Sequence, residues 1–283
     1  SPGYNENKGF SYLRSFTDYY DDTLSVDTIN QLANLNSSGK VFTGNLSYTE
    51  PISSKSQLLF SYTNNDNISN SEKETFNYTP SEENYNSFDT SLSNNFTSTY
   101  IANSFGTTYQ FQAAKWSLNA GLTYQYASLN GEQQFPYSDN VKRSFNSWLP
   151  GALFMYRFTN QKNLRAVYRS NNTAPTISQL QNVVNNSNPL QLTTGNPNLR
   201  QDWQNNFFAR YSSVNIARSI SFFGMAGFTY TADYIANSVL YATNDTVTTD
   251  GIALGAGSQL TRPVNLDGFY NFRTFANYSF PIS

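Results

Sequence analysis

Hydrophobic and polar residues alternate without a break over residues 116–126. The apolar or amphipathic side chains at every second position are those of Trp116, Leu118, Ala120, Leu122, Tyr124 and Tyr126, and the residues between them are polar or small. Because successive side chains of a strand point to opposite faces, this period of two predicts a β-strand with one apolar face and one polar face. Large aromatic residues stand at both ends of the stretch, as they do at the two headgroup levels in strands that cross a bilayer. The pattern therefore predicts one strand of a membrane β-barrel.

Similar alternation recurs along the chain and predicts about ten antiparallel strands. The other stretches are 10–20, 40–50, 57–64, 96–111, 145–158, 163–171, 203–211, 220–230 and 266–280. Short connections begin near residues 51, 112, 159 and 214, whereas long ones cover 21–39, 65–95, 131–143, 172–200 and a segment beyond residue 234. The 65–95 excursion has room for short strands beyond the membrane.

The lengths of these connections alternate strictly between short and long. Outer-membrane barrels have short periplasmic turns and longer extracellular loops. A soluble β-sandwich or propeller also alternates inward and outward residues, but it has no reason to sort its loops by length at the two ends. The sequence therefore favours an all-β, transmembrane antiparallel barrel over a soluble β-protein.

The composition of the 283 residues agrees with a barrel wall. Hydrophobic residues make up 38%, aromatic residues 16% and charged residues 13%. Soluble domains have about 25% charged and about 45–50% apolar residues, so neutral polar residues have replaced both classes here. A barrel with a lipid-facing apolar set and a water-facing neutral set has this composition. The sequence contains no run of apolar residues long enough for a transmembrane helix.

Little in the sequence supports catalysis or a bound cofactor. The chain has no His and no Cys, which removes the usual general base, most zinc sites and thiol chemistry. The acidic pairs Asp21-Asp22 and Glu82-Glu83 fall in predicted loops, and no bidentate Glu completes a calcium loop after Asp66. We therefore expect no enzyme activity, no metal and no cofactor. A net charge of −2 gives no attraction to nucleic acid.

The 172–200 loop carries a motif that resembles a known family. Its residues are Pro175, Gln179, Leu180, Gly195, Asn196, Pro197 and Leu199. This arrangement resembles the barrel region of bacterial TonB-dependent outer-membrane receptors and their relatives in the outer-membrane β-barrel family. We expect an extracellular loop ordered by its own turns rather than by a sheet, in which Gly195 permits positive φ and Pro197 keeps Asn196 extended. These residues either fold the loop back onto the barrel mouth or contact a ligand directly.

The resemblance implies a location in the bacterial outer membrane. It implies that residues 1–283 are one segment of a barrel of about 22 strands, with a plug domain and further strands outside this sequence. The first residue is not Met, and we read the chain as a fragment of a mature protein.

Two functions remain open at this stage. The resemblance implies TonB-dependent uptake of a nutrient such as an iron chelate, an oligosaccharide or a peptide. The alternative is a structural or adhesin-type barrel whose loops bind partners. The implied partners are outer-membrane lipid, the plug or further strands of the same polypeptide, TonB indirectly, and a surface lipoprotein or small-molecule substrate.

Four arginines share the parity opposite the aromatic residues of their strands. They are Arg157, Arg165, Arg169 and Arg210. Because a charge in lipid costs several kcal/mol, we expect these side chains to face the barrel lumen. There they either contact a plug or a substrate, or pair with lumenal carboxylates and stiffen the wall.

Overall fold

The computed structural model describes residues 1–18, 26–90, 92–135, 138–180, 184, 188, 190–248 and 251–282. In chain order the strands are β1 (Pro2–Asp18), β2 (Val26–Ser53), β3 (Ser56–Thr79), β4 (Asn84–Phe88), β5 (Asn94–Gln112), β6 (Trp116–Phe135), β7 (Asp139–Thr159), β8 (Lys162–Thr173), β9 (Gln191–Thr193), β10 (Asp202–Asn215), β11 (Ile220–Ala232), β12 (Tyr234–Tyr241), β13 (Thr246–Val247), β14 (Ala253–Leu254), β15 (Gln259–Leu266) and β16 (Phe269–Ser279). A short helix, α1 (Ile177–Leu180), follows β8, and a 3₁₀ turn, Ile216–Arg218, joins β10 to β11.

One large sheet forms the wall. Its strand order is β1-β2-β3-β5-β6-β7-β8-β10-β11-β16, and β4 adds to β3 as an eleventh strand. Every neighbouring pair in this sheet is antiparallel. The ten strands of the main path confirm the predicted all-β class and the predicted strand number.

The wall has two chemically different faces. In an antiparallel sheet, residues directly opposite each other on neighbouring strands share a face. Tyr124 on β6 lies opposite both Phe105 on β5 and Trp148 on β7, and the Tyr124 and Trp148 rings are 4.9 Å apart. We call this side the aromatic face. The other side, which holds Ser117 and the rest of that parity, is the polar face.

Three of the predicted long loops are wrong, because strands occupy most of them. β2 begins at Val26, within the predicted 21–39 loop, and residues 19–25 lie outside the described ranges. β3 continues to Thr79 and β4 follows, so most of the 65–95 excursion is sheet. β6 ends at Phe135 and β7 begins at Asp139, which replaces the 131–143 loop with a short connection. The backbone ladder continues here although both faces have become polar, and the alternation that marks a strand in lipid is lost.

Two smaller sheets stand beyond the long-loop end of the wall. One has the order β12-β15-β9, and the other pairs β13 with β14. None of the helices in the described ranges has the length and apolarity needed to cross a membrane.

Candidate functional site

Two loops fold over the polar face at one end of the wall. They contain α1, β9 and strands β12 to β15, and together we call them the cap. A buried cluster joins the cap to the wall and consists of Leu129, Ile177, Leu180 and Leu199, with Tyr100, Val141, Phe145 and Ile235 packed against it. Leu129 lies opposite Tyr100 on β5, and both have the parity of the polar face. The cap therefore covers the polar face and leaves the aromatic face free.

The loop motif supplies the core of this contact. Leu180 has no exposed surface, and Pro175, Ile177 and Leu199 are also buried. The α1 turn is closed by Gln179, whose side-chain oxygen accepts a hydrogen bond from the Thr176 N–H at 2.9 Å. These contacts hold the motif on the barrel mouth; a direct ligand role for it stays a prediction.

The Gly-Asn-Pro part of the motif is fixed through Asn196. Its backbone N–H donates to the Gln179 carbonyl at 2.6 Å, which joins the two halves of the motif. Its side-chain amide donates to the Pro263 carbonyl on β15 at 3.1 Å. The Arg143 guanidinium of β7 donates to the Pro197 carbonyl. Gly195 is buried in this turn.

The 172–200 loop also enters a sheet, which corrects the expectation that its own turns alone would order it. β9 pairs in parallel with β15, with Leu192 opposite Leu260. These two leucines belong to a second buried cluster with Ala242 and Leu254, against which Val184 and Ile252 pack. Parallel pairing between distant segments leaves no short-range signal in the sequence, and β9 has only three residues.

Asn265 of β15 ties the cap to the end of β11. Its side-chain oxygen accepts a hydrogen bond from the Arg200 N–H at 2.9 Å. Its amide donates to the carbonyls of Arg200 at 3.0 Å and of Asp233 at 2.7 Å. Arg200 and Asp233 also form an ion pair at 2.5 Å. Sequence reasoning missed this junction, because nothing in the sequence places these three residues together.

Asp202 fastens the start of β10 to the end of β8. Its carboxylate accepts a hydrogen bond from the Thr173 N–H at 2.8 Å. Burial raises the pKa of the Asp202 carboxyl above its ordinary value, and the hydrogen bonds from Thr173 oppose that shift in part. Asp202 thus joins the end of β8 to the start of β10, the two strands that the 172–200 loop connects.

The strand register places all four predicted arginines on the polar face. Arg165 lies directly opposite Arg210, and Arg165 also lies opposite Met155. Arg169 lies opposite Gly151 and Asn206, and Arg157 lies opposite Asn163. Arg157, Arg165 and Arg210 line one common hollow, whereas Arg169 lies further along β8 and lines another. Contact with a plug or a substrate stays a prediction for these residues.

Several large apolar side chains share this face, which the sequence reasoning did not anticipate. Met155, Phe208, Met225 and Phe275 lie on the rows that contain or adjoin Arg165 and Arg210, and all four are exposed. Their parity was visible in the sequence, but the rows they form across strands follow only from the register. Within the described ranges, no group of three or more His, Cys, Asp or Glu side chains is arranged to hold a metal ion.

Comparison with known proteins defines the class. Residues 3–283 match the outer membrane protein beta-barrel family. The chain belongs to this family and resides in the bacterial outer membrane, as the resemblance implied. The comparison with curated proteins finds no match.

A solved receptor structure shares the fold of this chain. The hemophore receptor HasR of Serratia marcescens, solved with its hemophore HasA and heme, aligns with 98% of this chain and 43% of its own at a TM-score of 0.54 and 11% identity. The siderophore receptor PirA of Pseudomonas aeruginosa aligns with 100% of this chain and 63% of its own at a TM-score of 0.37 and 10% identity. The chain therefore spans less than two thirds of the length of either receptor.

Proposed function

We propose that this chain forms part of the wall of an outer-membrane receptor that takes up a scarce nutrient in a TonB-dependent manner. The observation that carries the proposal is the cap: Ile177, Leu180 and Leu199 fasten the loops to the polar face rather than leaving them upright. Loops folded over one face restrict and shape the entrance on that side, as a receptor requires. The substrate classes we consider are an iron chelate, an oligosaccharide and a peptide.

In this proposal the polar face lines the lumen and the aromatic face contacts lipid. An arginine in lipid costs several kcal/mol, which supports an inward direction for Arg157, Arg165, Arg169 and Arg210. Guanidinium groups bind carboxylates in a bidentate manner, so acidic groups of a plug or of a substrate are the natural partners. TonB acts indirectly, through the plug. We assign no catalytic step to the chain.

We further propose that residues 1–283 form one segment of a larger barrel. The described sheet has β1 and β16 at its two ends, and no pairing joins them within the described ranges. Unpaired strand edges are not tolerated in lipid, so further strands of the same polypeptide are needed to close the wall.

A second candidate function is a structural or adhesin-type barrel whose cap binds a surface partner. The observation in its favour is the edge strand β12, where Val239, Leu240 and Tyr241 are exposed by 43%, 49% and 70%. An apolar edge without Pro or Lys is open to pairing with another strand, for example from a surface lipoprotein.

Growth of a strain that lacks the gene separates the two candidates. Each nutrient class is supplied in limiting amount in turn. The wild type should outcompete the deletion strain on one class, and the full-length protein should restore growth of the deletion strain on that class. A variant with both Arg165→Glu and Arg169→Glu should assemble normally and fail to rescue growth. Equal growth on every nutrient, combined with loss of surface binding, would favour the adhesin instead.

A further inference from the structure

A hollow of about 680 Å³ lies on the polar face of β6, β7 and β8. Its floor contains Gly121 and Gly151, which lie directly opposite each other and present no side chain. The polar and charged side chains around this floor are those of Thr108, Asn119, Thr123, Arg169 and Asn171, and the apolar ones are those of Leu149, Leu153 and Val167. We call this feature the glycine hollow.

The two glycines differ in what the fold requires of them. A Cβ at Gly121 would collide with the Thr108 hydroxyl and lie 2.9 Å from the Thr107 carbonyl oxygen, so the close approach of β5 and β6 requires glycine there. A Cβ at Gly151 would meet only the Tyr168 carbonyl oxygen, at an ordinary 3.7 Å. Packing of the wall therefore leaves room for a side chain at position 151. Its absence keeps the hollow open directly beside Arg169, which lies opposite Gly151.

The other side of Arg169 is occupied by an ordered network of amides. Asn206, its neighbour on β10, donates hydrogen bonds to Asn171 and to Gln204, both at 3.1 Å. Asn206 also accepts one from the Thr229 hydroxyl at 2.9 Å. Arg169 thus stands between this amide network on β10 and the hollow that it lines.

No carboxylate of the described residues lies within ion-pair distance of Arg169. The ion pairs Lys8–Glu6 and Arg200–Asp233 both lie away from the hollow. Arg169 is itself exposed. A planar guanidinium with five donors and an open space beside it matches a carboxylate in shape and charge.

We propose that the glycine hollow binds a carboxylate, which Arg169 holds. The amide and hydroxyl groups that line the hollow, those of Asn119, Asn171, Thr108 and Thr123, bind neutral polar groups next to it. The carboxylate belongs either to a small solute inside the barrel or to an acidic side chain of a polypeptide segment lodged there, since both present the same chemistry. The inference rests on the proposed function in one respect, that the polar face lines the lumen.

Thiol labelling in outer-membrane vesicles that contain the full-length protein tests this site. Gly151→Cys places a thiol in the hollow, and this chain has no other cysteine. The thiolate attacks the sulfenyl sulfur of a methanethiosulfonate reagent, a disulfide forms, and a sulfinate leaves. The probes are an anionic sulfonatoethyl reagent and a cationic trimethylammonium-ethyl reagent. Ser61→Cys, on the same face and three strands away, is the control.

The anionic-to-cationic rate ratio should be about tenfold higher in the G151C protein than in the S61C protein, as one nearby positive charge in partly screened water would produce. Arg169→Gln should remove the difference. Asn119 also lines the hollow, so Asn119→Cys serves the same measurement if the G151C protein does not assemble.

Two supporting outcomes identify the source of the carboxylate. Protection of the G151C thiol by citrate indicates a solute site. A polypeptide carboxylate is indicated if the G151C thiol is protected from both reagents while the S61C thiol still reacts. Arg169→Gln should then relieve the protection of the G151C thiol. Equal ratios at both positions, with and without Arg169, would overturn the carboxylate site and leave the receptor proposal intact. If neither thiol reacts even in urea, the polar face does not line the lumen, and both proposals fail.

Discussion

Ile177 of α1 packs directly on Gly131 of β6. Any Cβ added at position 131 would collide with the Ile177 Cδ1 atom and lie 3.0 Å from its Cγ2 atom. Ile177 is only 4% exposed and is held by Leu129, Leu180 and Leu199, so it has little room to move away. This contact fastens the 172–200 loop to the wall.

Replacing Gly131 by Val should therefore release the cap. Overpacking of a filled core costs about 1–3 kcal/mol, and the loop is the part of the contact that can move. Protease added to intact cells should then cut the loop faster than in the wild type. Gly9→Val is the matched control, because a Cβ at Gly9 meets nothing within 4 Å. Unchanged cleavage in the G131V protein would contradict the described contact.

A charge introduced on one face of β6 should destabilise the barrel far more than a charge introduced on the other face. Leu122 is on the aromatic face, opposite Thr107 and Pro150, and is 45% exposed in the isolated wall. Leu122→Arg should destabilise the barrel by about 2–4 kcal/mol near the bilayer midplane. Thr123→Arg, one residue along and on the other face, should have a mild effect. Denaturant unfolding in lipid vesicles measures both, and equal penalties would refute the assignment of the faces.

The position of the cap predicts which end of the wall lies outside the cell. A cysteine introduced by Asn188→Cys, at an exposed position of the 172–200 loop, should react with a membrane-impermeant maleimide on intact cells. Ser54→Cys, in the tight turn between β2 and β3, should react only after the outer membrane is permeabilised. The reverse order would mean that the barrel is inserted the other way round.

Asn265 offers a test of the junction between the cap and the wall. Asn265→Ala removes three hydrogen bonds, to the N–H and carbonyl of Arg200 and to the carbonyl of Asp233. Each of these hydrogen bonds contributes about 0.5–1.5 kcal/mol, so amide hydrogen exchange should rise around residues 198–202 and 233–235 and stay constant in β6. Asn277→Ala, on β16 outside the cap, is the control.

The sequence was informative where lipid imposes a pattern on the strands. From Trp116 to Tyr126 one face must be apolar. The alternation of apolar and polar residues there correctly predicted strand β6 and which of its side chains share a face. Above this band both faces of β3 meet water, and its residues from Asn64 to Glu74 are polar with the exception of Ile68. Such a stretch looks like a loop although every backbone group can still pair. This explains why the prediction of a loop over residues 65–95 was wrong.

The candidate site was predicted in part. The motif residues from Pro175 to Leu199 were found through a resemblance, and the structure assembles them into one contact on the wall. The neighbours they contact could not be found in this way. Gly131, Arg143 and Asn265 come from other strands, and only the register and the parallel pairing of β9 with β15 bring them to the loop.

The central claim is that the aromatic face of the wall contacts lipid and the polar face does not. Spin labels placed one at a time at Leu118, Asn119, Ala120, Leu122, Thr123 and Tyr124 in the full-length barrel, reconstituted in bilayers, test it most directly through collision rates with oxygen, which concentrates in lipid. We predict high oxygen accessibility at positions 118, 120, 122 and 124 and low accessibility at 119 and 123. Uniform accessibility along β6, or alternation in the opposite phase, would contradict the account.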